Sequence, residues 1–215
     1  QLGSLTVALG DLAAARLLYS ESLALSQALD DEPQIALTIW NLGNLAYREE
    51  NLAAAEQAYR QALALFESHN DRRNKAGVLH ALGQVMLDNE KMELARQYAE
   101  QSLAIKQELG HRLAQPVTLG LLGVIAYAAG DPVIAETLFQ QAIDLAEAVG
   151  DRRAANSQRF NLAVLYELQA RVPEAAHLMQ AVVAVDEQLG LPDLEKDRAA
   201  LARIQEKEVR VRHDG

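Results

Sequence analysis

The sequence predicts an all-α solenoid, a stack of antiparallel helix pairs, and three observations lead to that prediction. Only 12 glycines and five prolines occur in 215 residues, which leaves few turn-formers for a β-sandwich. The sequence also repeats with a strict period of 40 residues, and such periods are typical of repeat architectures. Within each repeat the apolar residues recur at helical spacing, as in Tyr59, Leu63 and Phe66.

The period is defined by three columns of aligned residues. A Leu-Gly pair recurs as Leu2-Gly3, Leu42-Gly43, Leu82-Gly83, Leu122-Gly123 and Leu162-Ala163. Thirteen residues after each Leu stands an alanine, at Ala15, Ala55, Ala95, Ala135 and Ala175. Seventeen residues after it stand Tyr19, Tyr59, Ala99, Phe139 and Met179. We expect the glycine and alanine columns to face each other, because small residues let two helix backbones approach closely.

Turn residues that recur every 20 positions mark the boundaries of the predicted helices. They predict helix pairs at 34–49 and 52–68, 73–89 and 92–109, 112–129 and 132–149, and 152–169 and 173–189. A single pair cannot bury its apolar faces, so the pairs must stack on one another. The regular interruptions exclude a coiled coil, which needs uninterrupted heptads.

The two ends of the chain differ from the central repeats. Five repeats are predicted in residues 1–192, and the first is incomplete because its Leu-Gly pair stands at residues 2 and 3. We therefore expect the chain to be a fragment of a longer protein. Residues 193–215 depart from the period, and Leu194, Leu201 and Ile204 predict a capping helix of the same domain, with a polar outer face.

Composition narrows the classes of function. The net charge is −10, from 20 basic and 30 acidic residues, so we expect no nucleic-acid partner. The absence of cysteine excludes disulfides, thiol nucleophiles and cysteine zinc sites, and it favours a cytoplasmic location. Residues 113–130 carry no charge, but they contain Gln115 and Pro116 and form part of a regular repeat. We therefore expect no membrane span.

Motifs that carry chemistry are absent from the sequence. There is no Gly-rich phosphate loop, no His-Glu-x-x-His and no Gly-x-Ser-x-Gly. The five histidines include no pair at the i, i+4 spacing of a helical metal site. We expect no enzymatic activity, no cofactor and no metal.

The repeat columns resemble the tetratricopeptide repeat (TPR) over nearly the whole chain. The resemblance is clearest at Leu42, Gly43, Ala46, Ala55, Tyr59 and Ala62, and at Leu122, Gly123, Ala126, Ala135, Phe139 and Ala142. The 40-residue form is similar to repeats of kinesin light chains, of spindle-orientation adaptors and of sensor arrays in bacterial signalling ATPases. This resemblance implies a right-handed α-solenoid and a non-enzymatic protein-interaction module, part of a larger bacterial regulatory protein.

The resemblance also implies where a partner binds. It places a concave groove along the first helix of each pair, and it makes Trp40-Asn41-Leu42-Gly43-Asn44 similar to adaptor segments whose asparagines bond a peptide backbone. An amide suits that task because it offers a donor and an acceptor. The predicted binding residues are Trp40, Asn41, Asn44, Tyr47, Arg48, His80, Gln84, Leu121, Val124, Tyr127, Phe160, Asn161 and Val164.

Several alternatives stay open at the level of sequence. Asn41 and Asn44 are either ligand contacts or solvated surface residues, and Trp40 is either a groove anchor or packed against the neighbouring helix. The apolar side chains of repeat four form an exposed partner site, a face buried within the superhelix, or a homo-oligomer contact. The leading function is binding of a peptide or protein segment in the groove. The alternatives are a small-ligand sensor that controls an attached ATPase or DNA-binding domain, and an oligomerisation scaffold.

Overall fold

A computed structural model describes residues 11–214 of the chain, with side chains described for residues 11–209. The predicted first helix of repeat one, in residues 1–10, lies outside this range. The described residues form ten α-helices and no strand, which confirms the predicted all-α class. The chain divides into two compact halves, an N-terminal half of residues 1–109 and a C-terminal half of residues 110–215.

In each half, every α-helix packs against the next one along the chain. The N-terminal half contains α1 (Leu12–Ala28), α2 (Glu32–Arg48), α3 (Leu52–Ser68), α4 (Arg72–Asp88) and α5 (Met92–Glu108). The C-terminal half begins with a short 3₁₀ turn at Arg112–Ala114. It continues with α6 (Gln115–Ala128), α7 (Pro132–Ala148), α8 (Arg152–Leu168), α9 (Val172–Leu189) and α10 (Leu194–Asp214). No helix in the described range is long and apolar enough to cross a bilayer.

The helix boundaries agree with the predicted ones to within two residues, with one exception. The exception is the helix predicted from residue 112, where a 3₁₀ turn leads directly into α6 at Gln115. Pro116 has no N–H, so it cannot donate to the carbonyl of Arg112 as an α-helix would require. The N–H of Gln115 bonds that carbonyl instead, which makes the turn 3₁₀.

The helices begin at recurring N-cap residues and are followed by recurring residues with positive φ. Five N-caps accept a hydrogen bond from the backbone N–H three residues on, namely Asp11, Asp31, Asn51, Asp71 and Asp151. A residue with positive φ follows a helix every 20 positions, at Asp30, Glu50, Asn70, Glu90, Gly110, Gly130, Gly150, Ala170 and Gly190. This left-handed residue reverses the chain direction into the next helix.

The glycine column makes room for an aromatic ring. A Cβ atom at Gly43 would lie 2.6 Å from the ring of Tyr59, and one at Gly123 would lie 2.6 Å from the ring of Phe139. The glycines at these two positions therefore leave space for the rings of the aromatic column. The alanine column itself is fully buried at Ala15, Ala55, Ala95, Ala135 and Ala175.

The predicted capping helix is present as α10, which packs on α9. Ile204 is fully buried in a core cluster with Met179 and Val182 of α9. Glu167 of α8 accepts hydrogen bonds from Arg203 (2.8 Å) and Lys207 (2.6 Å) of α10. The bond from Arg203 lowers the pKa of Glu167, so the carboxylate stays charged and ties α10 to α8.

Candidate functional site

The N-terminal half contains a cavity of about 450 Å³, here called the amide cavity. It is lined by residues of the first four described helices, namely Tyr19, Asn41, Asn44, Leu45, Tyr47, Arg48, Tyr59 and Gln84. Five of these were predicted as binding residues. They meet because Asn41, Asn44 and Arg48 share one stripe of α2, while Gln84 follows Asn44 by one full repeat.

Asn44 is held in place at the wall of the amide cavity. The hydroxyl of Tyr59 donates to Asn44 Oδ1 at 2.9 Å, and Tyr59 itself is only 2% exposed. Burial raises the pKa of Tyr59, so its hydroxyl keeps the proton that it donates. This bond uses one of the two lone pairs of Asn44 Oδ1 and leaves the Nδ2 group as a donor for a ligand.

Asn41 and Gln84 place two further amides at the same cavity. Both side chains are partly exposed, and within residues 11–209 neither amide hydrogen-bonds another residue. A free primary amide offers two N–H donors and one carbonyl acceptor. The cavity therefore presents unused donors and acceptors of the kind that a peptide group satisfies.

Tyr47 and Arg48 complete the polar part of the cavity. The hydroxyl of Tyr47 on α2 donates to Asp88 Oδ2 on α4 at 2.7 Å. Burial, followed by this bond to Asp88, raises the pKa of Tyr47 to about 12, so the phenol is neutral and its ring is a fixed wall. Arg48 is exposed, and no carboxylate in the described range pairs with it.

Two predicted residues of the N-terminal half lie elsewhere. The Trp40 ring packs edge-on to Phe66 of α3 with centroids 6.1 Å apart, and a Cβ at Gly77 of α4 would lie 2.5 Å from it. Trp40 thus occupies the packing between helices and does not line the amide cavity. His80 is also outside the cavity lining, and burial, with a smaller effect of Lys106, lowers its pKa to about 4.

The six predicted residues of the C-terminal half do not meet in one described cavity. On α6, Leu121 is buried, whereas Val124 is 36% and Tyr127 is 39% exposed. On α8, Asn161 donates to Gln158 Oε1 at 3.1 Å, and Val164 is partly buried. Of these six residues, Phe160 lines a described cavity of this half.

That second cavity, here called the cap cavity, has a volume of about 350 Å³ and lies beside the capping helix. It is lined from α8, α9, the following connector and α10 by Arg153, Asn156, Ser157, Phe160, Val182, Asp186, Leu191, Pro192, Asp193, Lys196 and Asp197. Apart from Phe160, none of them is among the predicted binding residues. The column of Asp186 is internal to the fold, because the residues aligned with it at 40-residue intervals are all buried, namely Ser26, Phe66, Lys106 and Ala146.

The described residues contain no group of three or more His, Cys, Asp or Glu side chains that could hold a metal ion. The linings of the two cavities offer hydrogen-bonding groups, charged groups and apolar walls. This chemistry can bind a ligand and fix its orientation.

The stacked helix pairs, the buried alanine column and the glycine that faces an aromatic ring define a TPR-type repeat protein. The family model described as the MalT-like TPR region matches residues 1–209. The chain belongs to this family. None of the curated protein sequences is a significant match.

Solved structures with the same fold come from distant proteins. BtubC (BKLC) from P. vanneervenii is 20% identical with a TM-score of 0.76, over 91% of this chain and 83% of that chain. A putative kinesin light chain from Podosopora anserina with TPR-like repeats is 17% identical with a TM-score of 0.69, over 88% and 93%. A Signal Transduction ATPase with Numerous Domains (STAND) protein with a tetratricopeptide repeat sensor, from Pyrococcus horikoshii, is 15% identical with a TM-score of 0.74, over 96% and 32%. At these identities the likeness concerns the fold.

Proposed function

We propose that this chain binds an extended peptide segment of a protein partner in the amide cavity. TPR-type repeats generally mediate protein–protein interactions and are generally non-catalytic. The observation that carries the proposal is the convergence of Asn41, Asn44 and Gln84 on one cavity with amide groups available. We further propose that the chain acts within a larger bacterial regulatory protein in the cytoplasm.

The chemistry of the cavity suits a peptide backbone. An extended segment offers an N–H and a C=O at every residue, and the amides of Asn41 and Gln84 can bond both kinds of group. The rings of Tyr19, Tyr47 and Tyr59 form walls against which apolar side chains can pack. Arg48 at the exposed side attracts a carboxylate, from an acidic side chain or from the end of a peptide.

The test begins with peptides selected from a random 12-residue display library against the immobilised chain. Affinity of a selected peptide is then measured by fluorescence anisotropy for the wild type and for the Asn41→Ala/Gln84→Ala variant. We expect the variant to bind at least about tenfold more weakly, because two sets of hydrogen bonds are lost.

The matched control is Gln57→Ala, which removes an amide from an exposed position of α3 in the same half. We expect this variant to bind like the wild type. Equal binding by the wild type and the Asn41→Ala/Gln84→Ala variant for every selected peptide would exclude the amide cavity as the binding site.

A second candidate function is a small-ligand sensor that controls an attached ATPase or DNA-binding domain. The cap cavity favours it, because buried polar side chains line a space of about 350 Å³, within the usual range for small-ligand sites. The fold likeness to the STAND protein with a TPR sensor agrees with this role, although the chain spans only 32% of that protein. Calorimetric titration of small molecules into the intact chain tests it.

A third candidate is an oligomerisation scaffold. It is favoured by exposed apolar side chains at the start of the C-terminal half, where Leu113 is 66% and Val117 is 48% exposed. Multi-angle light scattering over a range of concentrations tests it. A monomer at all concentrations would exclude this function, and a dimer that Val117→Asp dissociates would support it.

A further inference from the structure

The inner end of the cap cavity collects hydrogen-bond acceptors. Asn156 is 3% and Asp186 is 2% exposed. The Nδ2 group of Asn156 donates to the carbonyl of Val182 at 3.2 Å and to Asp186 Oδ1 at 2.6 Å. The remaining oxygens, Asn156 Oδ1 and Asp186 Oδ2, are buried without a donor from residues 11–209. Buried acceptors of this kind are rare in folded proteins and call for a donor.

A second carboxyl group stands beside them. Asp197 of α10 is 6% exposed, and its carboxyl forms a hydrogen bond with that of Asp186 when one of the two holds a proton. Burial, then this bond and the charges of Asp186 and Asp193, raises the pKa of Asp197 to about 7, while the charge of Lys196 opposes the shift. Near neutral pH the cluster therefore gains or loses its proton readily.

The outer end of the same cavity has the opposite character. Arg153 and Lys196 line it, both are exposed, and within residues 11–209 neither pairs with a carboxylate. The ammonium of Lys196 lies 5.6 Å from the centre of the Phe160 ring. The buried end of the cavity therefore attracts a hydrogen-bond donor or a cation. The rim, with its two unpaired cations, attracts an anion.

We propose that the cap cavity binds a small zwitterion that carries a primary ammonium group and a carboxylate. The ammonium donates its three N–H bonds to Asn156 Oδ1, Asp186 and Asp197, which are the groups that need donors. The carboxylate pairs with Arg153 and Lys196 at the rim. The inference rests on the cap cavity alone and is independent of peptide binding in the amide cavity.

This ligand class follows from the charges present. A neutral ligand would leave a carboxylate buried without a counter-charge, which is costly. A simple anion would meet Asp186 and Asp197 at the buried end, and a simple amine would leave both rim cations unpaired. A volume of about 350 Å³ is at the small end of ligand sites, which limits the ligand to a small molecule or to the end of a chain.

The first experiment is isothermal titration calorimetry on the full chain at pH 8 with matched probes. The probes are glycine, 4-aminobutyrate and 6-aminohexanoate, which vary the distance between the two charges, together with butylamine and butyrate. We expect at least one amino-carboxylate to bind at least about tenfold more tightly than butylamine, and butyrate not to bind. The affinity should fall between pH 8 and pH 6, because protonation of Asp197 removes its negative charge.

Two variants test which residues bind the ammonium and the carboxylate of the ligand. Asp197→Asn should weaken binding of the best amino-carboxylate at least about tenfold, while Asp131→Asn, which removes the same charge from an exposed position of the same half, should not. Arg153→Gln should bring the affinity of the amino-carboxylate closer to that of butylamine, since only Lys196 still pairs with the carboxylate, and it should leave the affinity of butylamine unchanged. Circular dichroism confirms that each variant is folded.

The tripeptide Gly-Gly-Lys distinguishes two sources of this chemistry. Tighter binding than 6-aminohexanoate would assign the site to the C-terminal lysine of a protein, and weaker binding would assign it to a free metabolite. Absence of binding by every probe would overturn the proposal, and so would equal affinity in the wild type and Asp197→Asn. The Asn41→Ala/Gln84→Ala variant should bind the zwitterion normally, which keeps this test separate from that of peptide binding.

Discussion

The two halves of the molecule bury ionisable groups of opposite kind. The N-terminal half buries bases, and burial lowers the pKa of His80 to about 4 and that of Lys106 to about 8. The C-terminal half buries an acid, and burial is the largest cause that raises the pKa of Asp197 to about 7. Burial favours the neutral form in both cases. The N-terminal half should therefore lose stability as pH falls, and the C-terminal half should lose it as pH rises.

The repeat geometry explains why such different groups are buried at all. Lys106 and Asp186 occupy the same column, 80 residues apart, and the other members of that column are also buried. The fold fixes the position as internal, and the residue type then decides which charge must be accommodated. Equivalent positions of a repeat thus share burial without sharing chemistry.

The largest loss of stability is expected at the glycine–aromatic contact, which both halves contain. Gly43→Val and Gly123→Val should each destabilise their half by about 3 kcal/mol, because the new side chain meets Tyr59 or Phe139. Hydrogen exchange of the intact chain, read separately for each half, measures the loss. In a Tyr59→Leu background the cost of Gly43→Val should shrink, and an unchanged cost would argue against the ring contact.

The second-largest effect is a loss of stability of the N-terminal half at acidic pH. His80 is neutral in the folded state, and its pKa is lowered from 6.5 to about 4, so the stability that this group contributes is lost as pH falls from about 6.5 toward 4. The expected loss at pH 4.5 is about 2 kcal/mol. Urea denaturation followed by the fluorescence of Trp40, the single tryptophan, measures it in this half.

His80→Gln should remove most of this acid sensitivity, since glutamine does not titrate. The matched control is His177→Gln, which changes an exposed histidine of the C-terminal half and should leave the Trp40 transition unchanged. Equal acid sensitivity of the wild type and His80→Gln would show that other groups dominate.

The third effect is a loss of stability of the C-terminal half as pH rises, which is opposite to the pH dependence of the N-terminal half. The pKa of Asp197 is raised from 3.8 to about 7, so its stabilising protonated form is lost as pH rises through 7. At pH 8, Asp197→Asn should be more stable than the wild type by about 1–2 kcal/mol, with little difference at pH 4. Hydrogen exchange in α9 and α10 measures it, and a gain of the same size in Asp131→Asn would contradict the assignment.

The smallest effect on stability is expected at the positive-φ residues between helices, which occur in both halves. Glu90 and Ala170 adopt positive φ values of 58° and 60°, which glycine tolerates at no steric cost. Glu90→Gly and Ala170→Gly should each stabilise the chain by about 0.5–1 kcal/mol, as measured by thermal denaturation. Gly150→Ala, at a φ of 75°, should destabilise it by a similar amount, and a stabilising Gly150→Ala would refute this explanation.

Most of the fold could be predicted from the sequence, because the period and the turn residues both report on local geometry. The start of α6 was placed too early, because the prediction followed hydrophobic spacing and did not use the missing N–H of Pro116. The contact between the glycine column and the aromatic column could not be predicted either. Alignment shows which columns are small but not which columns touch, and only the structure places Gly43 against Tyr59.

The two cavities differ in how far the sequence reveals them. The amide cavity could be predicted in part, because Asn41, Asn44 and Gln84 follow from helical spacing and the 40-residue shift. Whether they bind a peptide stays a prediction. The cap cavity could not be predicted, because Asn156, Asp186 and Asp197 come from three helices, and α10 lies outside the repeat period.

The left-handed residues that recur every 20 positions restrict how this chain can change in length. Deleting one or two residues within a helix rotates the residues that follow by about 100° per residue, so the alanine and aromatic columns leave the core. Removing or duplicating a block of 40 residues instead preserves every cap, every reversal and every glycine–aromatic contact inside the blocks that remain. Evolution of such a protein should therefore proceed in whole-repeat steps, with single-residue insertions tolerated only at the reversals.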